Sequence, residues 1–391
     1  MEHIIESAEN QLIAFGKRFE LVFVDGKDHT LTDINGKKYM DFTSGIAVVN
    51  LGHCNKRVND AVKKQIDKIS HISNLFYIPG QAELAKKICE KSFDGKMFFC
   101  NSGAEANETA LKIVRLAGNK MSPSKNKVLA VEGSFHGRTV GTITLTGQEK
   151  YKKGFEPLLP NIEIVDYNSV ESLERAFDDN VCAIFIEVVQ CEGGVRALSD
   201  SFIAKINELA VKHNALIVID EVQTGIGRTG KAFGYLNFDI KPDIITMAKA
   251  LGNGFPIGAI LVKPEIAGKI PLGFHNSTFG GNYLATAAGC AVLDQITPQL
   301  LDKVNSLAAY LKKSLESLKE RKGDKIGDIR VYGLMIGVDL NGVDVGSVIL
   351  SLIEKGIVTL RAGNNTLRLA PPFTITEKEV DILINALDKI L

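Results

Sequence analysis

Leu216-Ile217-Val218-Ile219-Asp220-Glu221-Val222-Gln223-Thr224-Gly225-Ile226-Gly227-Arg228-Thr229-Gly230 is the stretch that decides the fold. Its first four residues are apolar and mostly β-branched, so they read as a strand buried on both faces. The run stops on an acid and then a glycine-rich loop. An aspartate ending such a strand needs a cationic partner, because an unpaired buried carboxylate is costly. The pattern repeats outward in both directions. Strand-like runs at Met97–Cys100, Lys127–Glu132, Ile162–Val165, Val181–Val188, Ile244–Met247 and Ile257–Val262 alternate with helical stretches such as Ala104–Leu116 and Asp200–Asn214. This alternation predicts an α/β fold with a mostly parallel central sheet covered by helices. Ligands of such sheets gather outside the carboxyl ends of the strands.

After about Pro298 the texture changes. A long polar helix to about Lys322 leads into short strands at Ile329–Tyr332 and Leu334–Leu340. A helix at Val345–Lys355, two short strands and a final helix at Glu377–Ile390 follow. We therefore expect a large domain over 46–297 and a smaller α+β domain over 298–391. Residues 1–45 have hairpin character, with Leu21–Val24, a turn at Asp25-Gly26 and Lys38–Asp41, and are expected to pack with the small domain.

Composition excludes several classes of function. Lys+Arg and Asp+Glu are both 46, so bulk charge gives no case for nucleic acid or an anionic membrane as partner. No apolar run approaches the roughly 20 residues of a membrane span. Met1-Glu2-His3-Ile4-Ile5-Glu6 lacks the basic and apolar regions of a signal peptide. The six cysteines are scattered without a CxxC and read as reduced thiols of a cytoplasmic protein, and the seven histidines show no metal-ligand spacing. No metal is expected.

The chemistry begins at Met247-Ala248-Lys249-Ala250-Leu251-Gly252-Asn253-Gly254, just past a strand. A lysine among small and apolar residues is an amine that desolvation keeps nucleophilic, not an ordinary surface charge. A buried strand-end aspartate and a desolvated lysine together suit pyridoxal phosphate (PLP), which is held by a lysine Schiff base with a carboxylate against its ring nitrogen. Other segments read two ways. Asn101-Ser102-Gly103-Ala104-Glu105-Ala106-Asn107-Glu108 follows a strand and opens a helix. Its amides could seat a phosphate, or Ser102 could simply cap the helix with Glu105 in a capping box. In Phe135-His136-Gly137-Arg138-Thr139 the aromatic could stack on a flat ring and Arg138 could fork onto a carboxylate. The plainer alternatives are a core phenylalanine and a surface arginine. Ser277-Thr278-Phe279-Gly280-Gly281-Asn282 by itself is only a loop leading into the apolar stretch Leu284–Ile296.

Taken together, NSGAEANE, FHGRT, DEVQTGIGRTG, AKALGNG and STFGGN, in this order and spacing, resemble the class III, or ω-amino-acid, aminotransferases of PLP fold type I. The resemblance runs from Tyr39-Met40-Asp41-Phe42 to Arg368-Leu369-Ala370-Pro371-Pro372 and is strongest toward the arginine-biosynthesis members that act on acylated ornithine. It implies that Lys249 forms the Schiff base and Asp220 pairs with the ring nitrogen. Phe135 and Val222 would sandwich the ring, Gln223 would approach its phenolic oxygen, and Glu221 falls in the same cofactor-binding set. Ser102, Gly103 and Ala104 would hold the phosphate. Thr278 would reach the phosphate of a neighbouring subunit, which implies a homodimer with shared active sites. Arg138, helped by Ser277 of the other subunit, would bind the α-carboxylate of acetylornithine, and Arg368 that of 2-oxoglutarate. Glu187 and Glu192 match the family's two-glutamate motif, with Glu192 the switch that pairs with Arg368 while the ω-amine is bound.

Two departures fall beside the implied substrate pocket. Val188 and Cys191 stand where the family usually has proline and glycine, and Tyr283 where it has proline. Cys191 reads as a small buried filler. Ile46 stands where ornithine δ-aminotransferases carry a tyrosine that greets a free α-amino group, so isoleucine suits an acylated nitrogen. The implied reaction moves the δ-amino group of N2-acetylornithine to 2-oxoglutarate. Succinylornithine, succinyl-diaminopimelate, ornithine and 4-aminobutyrate are the alternative donors. A nucleotide-binding oxidoreductase is disfavoured because no GxGxxG follows an early strand. An inactive binding protein is disfavoured because Lys249, Asp220, Arg138 and Arg368 are all present.

Overall fold

Residues 1–391 are described by a computed structural model. Its organising element is strand β7 (Val181–Ile186), six residues all buried. Neighbours in the sheet are equally apolar: β5 (Lys127–Val131), β10 (Leu216–Asp220), β11 (Ile244–Met247) and β12 (Gly258–Val262). With β4 (Lys96–Cys100) and β6 (Ile162–Val165) they form a seven-stranded sheet of order β4-β12-β11-β10-β7-β5-β6. Successive side chains point to opposite faces. Thus Leu129, Ile184, Ile219 and Met247 join one core, while Val128, Phe185, Val218 and Ile244 join another under the helix Gly103–Met121.

Every neighbouring pair is parallel except those made by β12, which runs antiparallel to both β11 and β4. The expected mostly parallel sheet is present, and the reversal of β12 matters for the site. It brings the chain entering β12 to the edge where its neighbours end.

The N-terminal segment departs from expectation. It is a meander of β1 (Phe23–Lys27), β2 (Thr30–Asp33) and β3 (Lys38–Asp41). Asp25 and Gly26 lie within β1, opposite Thr32 and Leu31, and do not form the turn. The turn belongs to Asp28, at φ 54°. Gly26 is there for close approach instead: a Cβ on it would lie 3.1 Å from the Cβ of His53. After the short hairpin β8 (Val189–Gln190) and β9 (Arg196–Ala197), the C-terminal part holds β13 (Ile326–Tyr332), β14 (Met335–Leu340), β15 (Ile357–Val358), β16 (Leu360–Ala362) and β17 (Thr366–Leu369). Three short strands thus replace the two expected before the last helix. β15 leaves the local sheet and pairs in parallel with β3, so the N-terminal meander and the C-terminal part share a sheet.

The long helix Pro298–Lys322 starts on a Thr297 cap with proline in its first turn, and the last helix, Glu377–Ile390, starts on a Thr376–Glu379 capping box. No helix is long and apolar enough to cross a membrane.

Candidate active site

The carboxyl ends of β4, β5, β7, β10 and β11, with the chain entering β12, enclose a cavity of about 280 Å³. Of the sequence-derived candidates, Ser102, Gly103, Ala104, Phe135, Glu187, Asp220, Val222, Gln223 and Lys249 line it.

Asp220 ends β10 and is almost fully buried. Its Oδ2 accepts Nδ2–H of Asn107 at 2.7 Å and Nδ1–H of His136 at 2.8 Å, and its Oδ1 accepts the Val222 amide at 3.0 Å. Asn107 is held in turn by the Thr246 hydroxyl on its Oδ1, at 2.7 Å, and donates to the His136 carbonyl. The carboxylate is therefore fixed and cannot swing. Asn107 and His136 had not been singled out from the sequence. Asn107 was detectable as a polar residue one turn from Gly103 on the buried face of its helix, and His136 only as the neighbour of Phe135.

Lys249 follows β11. Its amine makes no hydrogen bond or ion pair within the chain, and its backbone sits at φ 44°, the left-handed region. Burial lowers its pKa below the ordinary lysine range, partly offset by Cys191 and Glu192. Glu187 faces the same cavity, its Oε2 accepting the Phe135 amide at 2.9 Å. Burial, and then Asp220, hold Glu187 well above the usual carboxylate range.

The helix Gly103–Met121 points its start at the cavity. Ser102 caps it by accepting the Glu105 amide, and the amides of Gly103 and Ala104 have no partner within the chain. Such a helix start suits an anion. Glu105 bonds the Asn101 amide instead of closing a capping box on Ser102. A Cβ on Gly103 would meet the side-chain methyls of Val222 at 2.9 Å, so glycine is what lets helix and loop approach.

Beside this cavity Arg368, 4% exposed, donates from Nη1 to Oε1 of Glu192 at 2.5 Å. Burial alone would raise Glu192, but the Arg368 guanidinium holds it below the usual carboxylate range. The Glu192 loop is fixed from the C-terminal part. Arg330 donates to the Gly194 and Val195 carbonyls at 2.9–3.2 Å while paired with Asp339, and the Gly363 amide donates to the Glu192 carbonyl. Cys191 is buried among Val189, Val195 and Met335, a filler as expected.

The remaining candidates lie off the cavity. The Arg138 guanidinium is exposed and stacks 3.9 Å over the Tyr151 ring. Ile46 is 44% exposed, two residues from the cavity-lining Val48. Thr278 is exposed, and Ser277 accepts the Asn101 Nδ2–H at 3.1 Å without lining the cavity. Glu221 corrects the sequence reading. Its carboxylate turns away from the cavity and accepts the Gly234 and Tyr235 amides and the Thr224 hydroxyl. It follows Asp220 at a strand end, where neighbouring side chains point to opposite faces. The next part of the loop is anchored by Arg228, fully buried, which donates to the Leu334 and Pro371 carbonyls and to Asn50.

These residues fit pyridoxal phosphate. The helix start offers free amides for its phosphate, Asp220 a fixed carboxylate for its ring nitrogen, and Lys249 an unpaired, desolvated amine for its aldehyde.

The Aminotransferase class-III family model matches residues 14–391. The chain is 45% identical to an acetylornithine aminotransferase of Caldanaerobacter subterraneus, over 96% of this chain and 95% of that protein. It is 41% identical to one of Methanocaldococcus jannaschii, over 95% and 94%. Among solved structures, the ornithine aminotransferase from Toxoplasma gondii superposes with a TM-score of 0.94 at 30% identity, covering 100% of this chain and 94% of that one. The acetylornithine aminotransferase from Elizabethkingia anophelis superposes at 0.87 and 31%, covering 99% and 98%.

Proposed function

Because the chain belongs to the class-III aminotransferases, we propose that it moves the δ-amino group of N2-acetylornithine to 2-oxoglutarate, giving N-acetylglutamate 5-semialdehyde and glutamate. The observation that carries this reading is the Arg368–Glu192 pair beside the Lys249 cavity. One site must first accept a donor with no carboxylate beside its reacting carbon, then an oxo acid that has one. An arginine masked by a movable acid serves both. The acetylornithine aminotransferases among the relatives support the choice of donor.

Pyridoxal phosphate, when bound, supplies an electrophilic aldehyde and a ring that takes up the electron pair left when a substrate C–H bond breaks. Ser102 and the amides of Gly103 and Ala104 would hold its phosphate, Asp220 its ring nitrogen, Gln223 its phenolic oxygen and Lys249 its aldehyde carbon. Phe135 and Val222 would flank its ring. The chain's own groups do the rest. Lys249, with its pKa lowered by burial, takes a proton from the substrate carbon onto Nζ, as base, and would then deliver it, as acid, to the carbon that had been the cofactor's aldehyde carbon. Asp220, immobilised by Asn107 and His136, keeps its charge where the ring nitrogen needs it. Arg138 takes the α-carboxylate of acetylornithine. Arg368, released by Glu192, takes that of 2-oxoglutarate. In this reading 46–297 carry the cofactor, and 298–391 together with 1–45 bring in Arg368.

We also infer a homodimer. Tyr77 and Leu272 stand fully exposed, with Phe76 and Phe279 about 60% exposed, an apolar display on the side that carries Ser277 and Thr278. In the partner's site those two residues would assist Arg138 and the phosphate. The six unpaired cysteines favour the cytoplasm.

The test is the visible absorption of the PLP-loaded protein as N-acetylornithine, ornithine, 4-aminobutyrate and succinyl-diaminopimelate are added separately. Fast bleaching by acetylornithine, with ornithine and 4-aminobutyrate slow, is expected. Bleaching best by another amine would move the donor, and a protein that stays colourless with PLP would overturn the site.

A further inference from the structure

Glu192 precedes the C-terminal part by more than a hundred residues, yet the loop that carries it is seated on the C-terminal sheet. Gln190 is still tied to the end of β5, its Nε2 donating to the Glu132 carbonyl at 2.8 Å. Glu192, Gly194 and Val195 are held from beyond residue 325. Arg330, Gly337 and Arg368 stand opposite one another and form a row across β13, β14 and β17. Side chains of such a row share one face of the sheet. The loop crosses the row at Gly337, where a Cβ would lie 2.9 Å from the Cβ of Val195 and 3.0 Å from the Gly194 carbonyl oxygen. Gly337 is thus the saddle, with an arginine on either side.

The two arginines grip different parts of the loop. Arg368 holds the Glu192 carboxylate. Arg330 holds backbone: Nε donates to the Gly194 and Val195 carbonyls at 3.1 and 3.2 Å, and Nη2 to that of Gly194 at 2.9 Å. Asp339 aims Arg330 by accepting Nη1–H at 2.7 Å and Nη2–H at 2.5 Å. Asp339 also accepts the hydroxyl of Thr366, two residues before Arg368 on β17. Val195 shows the effect of the grip. Its φ is 56°, and a β-branched residue in the left-handed region is an outlier. Such strain persists only where the surroundings impose it, and the carbonyls that Arg330 takes lie on either side of that torsion. We infer that Arg330, aimed by Asp339, is a positioning residue for the donor-acceptor switch, pinning the loop backbone so that Glu192 rests on Arg368 until a substrate carboxylate displaces it. The inference rests on the masking reading above and says what sets the strength of the mask. The Glu192 side chain is 21% exposed against 5% for Arg368. The mask therefore lifts by rotation of the glutamate side chain, while its backbone and the arginine stay in place.

The test compares wild type, Arg330→Met, Asp339→Asn, Glu192→Gln and the double variant Arg330→Met/Glu192→Gln. Two quantities are measured. One is the ratio of single-turnover rates for N-acetylornithine and L-glutamate with the PLP-loaded protein. The other is the affinity of the cofactor-free protein for glutarate by titration calorimetry, which reports how open Arg368 is. Arg330→Met should lower the ratio by about 2- to 10-fold and tighten glutarate by a similar factor. Asp339→Asn should act in the same direction, less strongly, and carries the test if Arg330→Met does not fold. Because Arg330 acts through Glu192, adding Arg330→Met to Glu192→Gln should change neither quantity further. A merely structural arginine would slow both donors alike and leave the ratio where it was. An unchanged ratio in both Arg330→Met and Asp339→Asn, with Glu192→Gln shifting it, would overturn the positioning role and leave the masking reading standing. So would an Arg330→Met effect that persists in full without the Glu192 charge. If Glu192→Gln itself leaves ratio and affinity unchanged, the masking reading falls and takes this inference with it.

Discussion

Replacing Glu192 by glutamine tests the masking of Arg368 most directly. In the structure the guanidinium is nearly buried, its Nε has no acceptor, and its Nη1 is held by Glu192 Oε1 at 2.5 Å. Any substrate with a carboxylate beside its reacting carbon must displace Glu192. A hydrogen bond between charged groups contributes about 1.5–3 kcal/mol, and a neutral one about 0.5–1.5. Glu192→Gln keeps the shape and one acceptor oxygen but removes the charge. The barrier to an incoming α-carboxylate therefore drops by about 1–2 kcal/mol, roughly 5- to 30-fold. In single-turnover bleaching of the cofactor band, the preference for N-acetylornithine over L-glutamate should fall by that factor. The pair itself should be insensitive to pH near neutrality. Arg368 depresses the Glu192 pKa, so the stability it contributes is present above the ordinary carboxylate value of 4.5 and is lost only as pH falls through the lower folded value. If both donors slow by the same factor, or the preference moves toward acetylornithine, the masking argument is wrong.

Other expectations follow from the same geometry. Lys249→Ala should abolish turnover yet leave the thermal midpoint within a few degrees by scanning calorimetry, because the amine makes no bond within the fold; wild-type rates would remove Lys249 from the mechanism. Arg228→Met leaves the Leu334 and Pro371 carbonyls and Asn50 without their donor. Burial lowers the Arg228 pKa to about 9, so the substitution also removes a desolvated charge; even so, urea unfolding should lose about 3 kcal/mol. Burial pushes Glu221 up to about 7, against the Thr224, Gly234 and Tyr235 donors that favour its charge. A raised acid contributes stability that is full below its ordinary 4.5 and lost as pH rises through about 7. Unfolding free energy should fall by about 3 kcal/mol from this group across that window, and Glu221→Gln should lack that slope.

Much of this was legible in the chain because buried parallel strands are short apolar runs, and Asp220 and Lys249 stand out where such runs end. The direction of β12 was not legible. Gly258–Val262 has the same composition as its parallel neighbours, and only the long-range pairing with Cys100–Lys96 reverses it. Phe255, Pro256 and Ile257, which enter the cavity through that reversal, were missed for the same reason. Glu221, which the resemblance puts in the cofactor-binding set, is turned away from the cavity by the alternation of side chains at the strand end.

The least legible feature bears most on the site. Ser44, Gly45, Ile46 and Ala47 run consecutively at φ 50°, 62°, 67° and 58°, and of these only Gly45 announces itself in sequence. Non-glycine residues lose about 1–2 kcal/mol each in that region, so the turn exists because its surroundings impose it. Asp41 Oδ1 accepts the Thr43 amide and hydroxyl and the Ser44 amide, and its Oδ2 meets His53 Nε2 at 2.7 Å. Ser44 Oγ donates to the Ala370 carbonyl at 2.7 Å, two residues beyond Arg368. On the facing wall Lys249 and Asn253 are also left-handed, both at φ 44°, and Asn253 holds the Leu51 amide and the Gly52 carbonyl. Val48 is therefore fixed between two strained segments, one tied to the strand of Arg368 and the other carrying Lys249. Strain of this kind persists only where the surrounding structure over-determines it, and it gathers at functional sites. Asp41→Asn, which weakens the grip on the left-handed turn without touching the cavity, should thus cost activity toward bulky acylated donors more than toward small amines. Equal losses for both would mean that the turn is structural and nothing more.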